Sequence, residues 1–151
     1  YNGEELKVIA ETRRILEAPA LPVSITCVRV PVLRAHSIAV TVEFDEPVSA
    51  DAARALLAAA PGLRIVDDAA ANHFPMPCEA SGQDDVLIGR IRTDLGDPTG
   101  RSLALFLSGD QLLKGAALNA VQIVELLSLK PPVQPRPASS GALSGVDHHR
   151  D

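Results

Sequence analysis

Two spacings organise the hydrophobic positions of this chain, one of two residues and one close to 3.6, and they alternate along its length. Residues 4–18 are rich in helix formers and end at Pro19 and Pro22, which predicts a first helix. Glu4, Lys7 and Glu11 fall at spacings of three and four and so share its polar face. Residues 23–30 are mostly β-branched, and residues 37–44 place Ile38, Val40, Val42 and Phe44 on one side, which predicts two strands. Pro31, Val32, Leu33, Arg34, Ala35 and His36 then form the loop between them, because Pro31 has no N–H to give a ladder. Ser49 is the expected N-cap of an alanine-rich helix with Asp51 in its first turn, stopped by Pro61-Gly62.

Short strands are expected at 63–66 and 85–93, separated by a loop carrying Asn72, Pro75 and Pro77. A turn at 96–100 leads into the apolar run 103–107, a buried strand. The last helix spans 110–127 and is apolar on more than one face, so it wants cover on two sides. The segment 130–151 is rich in Pro, Ser and Gly, and is expected to be a disordered tail. The element order predicts an α+β domain: a mixed, largely antiparallel sheet with helices on one face.

Composition narrows the function. With 46% hydrophobic and 22% charged residues in 151, the chain can bury a core without a disulfide or a structural metal. Its two cysteines, Cys27 and Cys78, therefore read as a core thiol and a loop thiol. A net charge of -5 with no basic cluster argues against nucleic acid. No apolar run approaches the roughly 20 residues that span a bilayer, and no signal stretch precedes the first helix, so a cytoplasmic protein is expected. No Gly-x-Gly-x-x-Gly follows a strand, so the chain has no dinucleotide fingerprint of its own.

Two residues invite chemistry. Arg29 interrupts an apolar run beside Cys27, and its planar donors suit a substrate carboxylate. A strand-end arginine reaching solvent, or paired with an acid, gives the same pattern. His36 lies in a connection that can present it to a pocket, with an ordinary pKa near neutrality. Taken alone it also fits a surface histidine. Glu4 and Lys7 equally fit a helix-surface pair, and the adjacent His148 and His149 make a weak metal site, so no metal is expected.

The runs Glu-Thr-Arg-Arg-Ile-Leu from Glu11 and Leu-Pro-Val-Ser-Ile-Thr-Cys-Val-Arg-Val-Pro-Val-Leu-Arg-Ala-His-Ser from Leu21 closely resemble a signature of aspartate-semialdehyde dehydrogenases. Val-Leu-Ile-Gly-Arg-Ile-Arg from Val86 and Ser-Gly-Asp-Gln-Leu-Leu-Lys-Gly-Ala-Ala from Ser108 continue the likeness, which covers residues 4–127. The resemblance implies reduction of aspartyl phosphate to aspartate semialdehyde with NADPH, through a thioacyl intermediate on a cysteine, toward lysine, methionine, threonine and isoleucine. It implies that Arg29 grips the substrate carboxylate, Glu4 its amino group and Lys7 the phosphate. It further implies that His36 is the general acid/base and that Gln111 contacts the cofactor. Homodimerisation through this domain is implied as well.

The departures define the expected limits. No Asn-Cys-Ser/Thr motif is present, and Cys27 lies inside the Arg/His motif, so it cannot be the nucleophile. Tyr1 stands where an initiating Met would be, and the expectation is a fragment, inactive alone. Residues 1–108 are then the second half of the catalytic/dimerisation domain. Residues 109–129 are a returning helix that packs toward a nucleotide-binding domain, and 130–151 the tail. The helix, short of cover, predicts self-association. The alternative is a non-catalytic dimerisation or metabolite-binding module.

Overall fold

A computed structural model describes residues 1–129; the expected tail and the His148-His149 pair lie outside the described residues. The chain runs α1 (Gly3–Ile15), β1 (His36–Glu43), α2 (Ala50–Ala58), β2 (Leu63–Ile65), α3 (Pro77–Ala80), β3 (Val86–Thr93) and β4 (Ser102–Gly109). A π-helical turn, Leu113–Ala117, then opens into α4 (Leu118–Leu129). The sheet has the order β1-β4-β3-β2; β4 pairs antiparallel with β1 and β3, and β2 pairs parallel with β3. It is the expected mixed, largely antiparallel sheet of an α+β domain. Ser49 caps α2 by accepting from the Ala52 N–H.

The strand expected over 23–30 does not form. β-branched residues favour extended backbone, but a strand needs a neighbour to bond. Edge strand β1 pairs only with β4 among the described residues, and segment 23–30 joins no sheet. Its Cys27 N–H goes instead to the Glu5 carboxylate, at 2.9 Å. The last helix also departs from expectation. Asp110 and Gln111 stay outside it, and its entry is π-helical, with Gly115 N–H bonding back to the Asp110 carbonyl.

A bulge decides which residues reach which face. Gly89 pairs with Phe106 and Arg92 with Ala104, so Arg90 and Ile91 together oppose the single residue Leu105. Arg90 absorbs the extra residue at φ 53°. Leu87 consequently packs with Ala35 and Ala80 on one face, whereas Ile91 packs with Leu103 and Ala53 of α2 on the other. Asp67 secures the bulge, since its carboxylate accepts from the N–H groups of Arg90, at 2.7 Å, and Ile91, at 3.2 Å. Arg54 of α2 donates to the same carboxylate at 2.9 Å. Burial pushes the Asp67 pKa up, and these donors outweigh it and hold it below its ordinary value.

Cover is uneven. α2 lies over β2 and β3, while Ile38 of β1, on the same face, stays 58% exposed. α4 buries none of its residues, and α1 buries only Glu5.

Gly89 is where β3 passes the 66–75 segment most closely: a Cβ there would drive into the Val66 carbonyl oxygen and come within 2.7 Å of the Pro75 ring. Gly89→Ala is expected to lose about 1–3 kcal/mol in denaturant unfolding, the usual cost of overpacking. Gly3→Ala, with no atom within 4 Å of the new Cβ, should stay near wild type or gain.

Candidate active site

The first half of the site is built at the start of α1. Asn2 caps the helix by accepting from the Glu5 N–H, and Glu5 returns the bond to the Asn2 N–H at 2.8 Å. The second Glu5 oxygen takes the Cys27 N–H, which docks the extended segment against the helix. The Asn2 and Cys27 N–H groups hold the Glu5 carboxyl below its usual pKa against the opposing effect of burial. Two residues beyond Cys27, the Arg29 guanidinium meets Glu4 at 3.3 Å. Both side chains are largely exposed, 87% and 52%, so the pair is weakly held and open to a ligand. Lys7 lies three residues past Glu4, near Glu11 at 3.7 Å. Burial, then the nearby charges of Glu4 and Glu5, push the Cys27 thiol up, which suits a protonated bystander rather than a nucleophile.

The second half is built where β1 begins. His36 is the first residue of β1 and pairs across the sheet with Gly109. Its neighbour Ala35 is buried at φ 77° and donates its N–H to Gln111 Oε1 at 2.9 Å. Arg34 reaches the carboxylate of Asp110 at 2.7 Å. That carboxylate is only 1% exposed and also accepts from the N–H groups of Gly82 (2.7 Å), Leu112 (2.9 Å) and Leu113 (3.3 Å). Burial would raise its pKa; Gly82, Leu112 and Arg34 overcome that and lower it to about 2.

The five residues singled out in the sequence therefore fall into two groups. Glu4 and Arg29 meet directly with Lys7 on the next turn, and Gln111 sits against the residue preceding His36. Six residues of chain, between Arg29 and His36, join the groups. Glu5, Arg34 and Asp110 were not anticipated. Asn2-x-x-Glu5 is a readable capping box, but nothing local marks Asp110 as buried, because all of its side-chain partners except Leu112 and Leu113 are remote in sequence. Cys78, expected in a loop, lies exposed in α3. No three His, Cys, Asp or Glu side chains gather to hold a metal ion among the described residues. No helix among them is long and apolar enough to cross a membrane.

This sheet, with a carboxylate-guanidinium pair near one end of the segment and a histidine at the other, defines a class. The profile of the family described as "Semialdehyde dehydrogenase, dimerisation domain" matches residues 1–114, and the chain belongs to that family. Its relatives are more specific. An aspartate-semialdehyde dehydrogenase of Synechocystis is 56% identical over 127 residues, which is 84% of this chain and 37% of that protein. One from Mycolicibacterium smegmatis is 52% identical, over 84% of this chain and 35% of its own. The crystal structure of aspartate semialdehyde dehydrogenase II from Vibrio cholerae complexed with ASA superposes with a TM-score of 0.78 at 40% identity, covering 85% of this chain and 37% of that one. The chain thus spans little more than a third of the length of these relatives.

Asp110 makes the fold acid-sensitive in a defined window. Its ordinary pKa is 3.8 and its folded value about 2, so its contribution is fully present above 3.8 and is lost as pH falls toward 2. Thermal unfolding followed by circular dichroism should show the midpoint falling through that window. In Asp110→Asn the midpoint starts lower and falls less steeply; parallel slopes for the two proteins would refute this account of the carboxylate.

Proposed function

We propose that this chain is the C-terminal part of an NADP-dependent aspartate-semialdehyde dehydrogenase, acting in the biosynthesis of lysine, methionine, threonine and isoleucine in the cytoplasm. The exposed Glu4–Arg29 pair carries the reading. A guanidinium and a carboxylate side by side match the carboxylate and ammonium of an α-amino acid, with charges reversed. Arg29 then holds the α-carboxylate as a fork, and Glu4 accepts from the α-ammonium. Lys7, a compact ammonium on the same helix face, meets the tetrahedral phosphate.

His36 is the general acid/base. It takes the proton of an attacking cysteine thiol as the sulfur–carbon bond forms and phosphate leaves, giving a thioacyl group. That cysteine lies outside this chain, since no Asn-Cys motif occurs here and burial pushes the Cys27 thiol up, away from a thiolate. When bound, NADP in its reduced form would supply a hydride to the acyl carbon, with the carbon–sulfur bond breaking to release the aldehyde and return the cysteine as thiolate. Gln111 is the residue here that would touch it: its carboxamide oxygen is engaged, and its amide nitrogen makes no hydrogen bond among the described residues. The remainder of a dinucleotide site has no motif in this sequence.

Self-association belongs to the same reading. The apolar positions of β1 left beside α2, together with Val121, Val124 and Leu127 of α4, offer uncovered surface. Light scattering is expected to find dimers or larger species; a clean monomer at high concentration would count against it.

The deciding experiment is aspartate-semialdehyde oxidation with NADP and phosphate, run on this chain and on the full-length polypeptide that carries it. Activity is expected only in the longer protein. There, Arg29→Ala should raise KM for the semialdehyde about 10–100-fold, the scale of a lost charged hydrogen bond. An unchanged KM, or turnover by the 151-residue chain alone, overturns the assignment. Absence of activity in both proteins would leave a non-catalytic dimerisation or metabolite-binding module.

A further inference from the structure

Three structural costs converge on the corner just before His36. Ala35 is a buried non-glycine residue at φ 77°, a conformation that L side chains adopt at a penalty. Arg34 buries its Nε with no hydrogen-bond partner. Asp110 is a carboxylate withdrawn from water. A π-helical turn, itself an uncommon element, begins three residues after Asp110. Such features persist only where surrounding contacts over-determine them, and they collect where a side chain must be aimed.

The contacts doing so come from one dipeptide. Gly109 is the residue opposite His36 in the ladder, and the next two residues hold the two that precede His36. Asp110 takes the Arg34 guanidinium, and Gln111 Oε1 takes the Ala35 N–H. Asp110 is in turn fixed by backbone donors from both sides, Gly82 from the α3 side and Leu112 and Leu113 from the entry to α4. The corner at 34–35 has little freedom to turn, and the direction in which His36 leaves it is set from β4.

We propose that Asp110 and Gln111 are positioning residues that aim His36 for proton transfer by clamping the Arg34-Ala35 corner. The inference rests on His36 being the acid/base. It gives Gln111 a task separate from any contact with NADP: its oxygen serves the corner, and its amide nitrogen stays available.

The test uses the full-length enzyme. His36→Ala examines the underlying reading, and should lower kcat by about 100-fold or more. Gln111→Ala should lower kcat about tenfold, as a misaimed acid/base does, and raise KM for NADP through loss of the amide contact, with KM for the semialdehyde within about twofold of wild type. Gln111→Glu keeps an oxygen at the same reach but not the amide nitrogen, so it should recover most of the kcat loss while KM for NADP stays raised. Asp110→Asn should lower kcat in the same way, with a changed pH–rate profile; if it fails to fold, the two Gln111 variants still decide. An undiminished kcat in Gln111→Ala overturns the proposal while leaving His36 in its role. So does a kcat loss that glutamate does not rescue, which would make Gln111 a cofactor contact alone. Full activity in His36→Ala removes both the reading and the inference built on it.

Discussion

One buried carboxylate ties this structure together. Asp110 lies at the end of the central strand β4, almost wholly withdrawn from water, where an unpaired charge would be untenable. It survives because four donors converge on it, three backbone N–H groups and one guanidinium. The donors belong to three different obligations of the fold. Gly82 ends the α3 loop, Leu112 and Leu113 begin the approach to α4, and Arg34 leads into β1. Satisfying one charge therefore fixes three chain connections at the same end of the sheet, and that is the end where His36 is displayed.

Two other carboxylates work in the same manner elsewhere. Asp67 accepts the N–H groups at the β3 bulge and holds Arg54 of α2 to them. Glu5 closes the capping box of α1 and takes the Cys27 N–H, which brings Arg29 within reach of Glu4. This reliance on charged acceptors suits a chain with three Phe, one Tyr and no Trp. Its two small core clusters are built from Ala, Leu and Ile, and large aromatic side chains that could lock segments by area alone are scarce. Hydrogen bonds from backbone to carboxylate supply the missing definition, at positions where direction matters more than area.

The same thin core explains what lies uncovered. α2 shields only part of one sheet face, and α4 leaves Val121, Val124 and Leu127 more than half exposed. The chain belongs to a family described as a dimerisation domain, and under the proposed self-association these apolar positions are the surface that contact would cover.

The sequence by itself determined α1, α2 and most of the strands. Periodicity, the Ser49 cap and the proline stops depend on residues within a few positions of one another, and the chain carries that information locally. The signature around Arg29 and His36 likewise identified the family and the residues to examine. Tertiary structure decided the rest. Residues 23–30 have the side chains of a strand, but whether a strand forms depends on a partner that local preference cannot supply. The bulge at Arg90, which sends Leu87 and Ile91 to opposite faces, follows from the position of Asp67 more than twenty residues away. Asp110 and Gln111 were legible only as letters of a motif. Their grip on Arg34 and Ala35 spans about three-quarters of a hundred residues, and only folding brings those groups within hydrogen-bond distance.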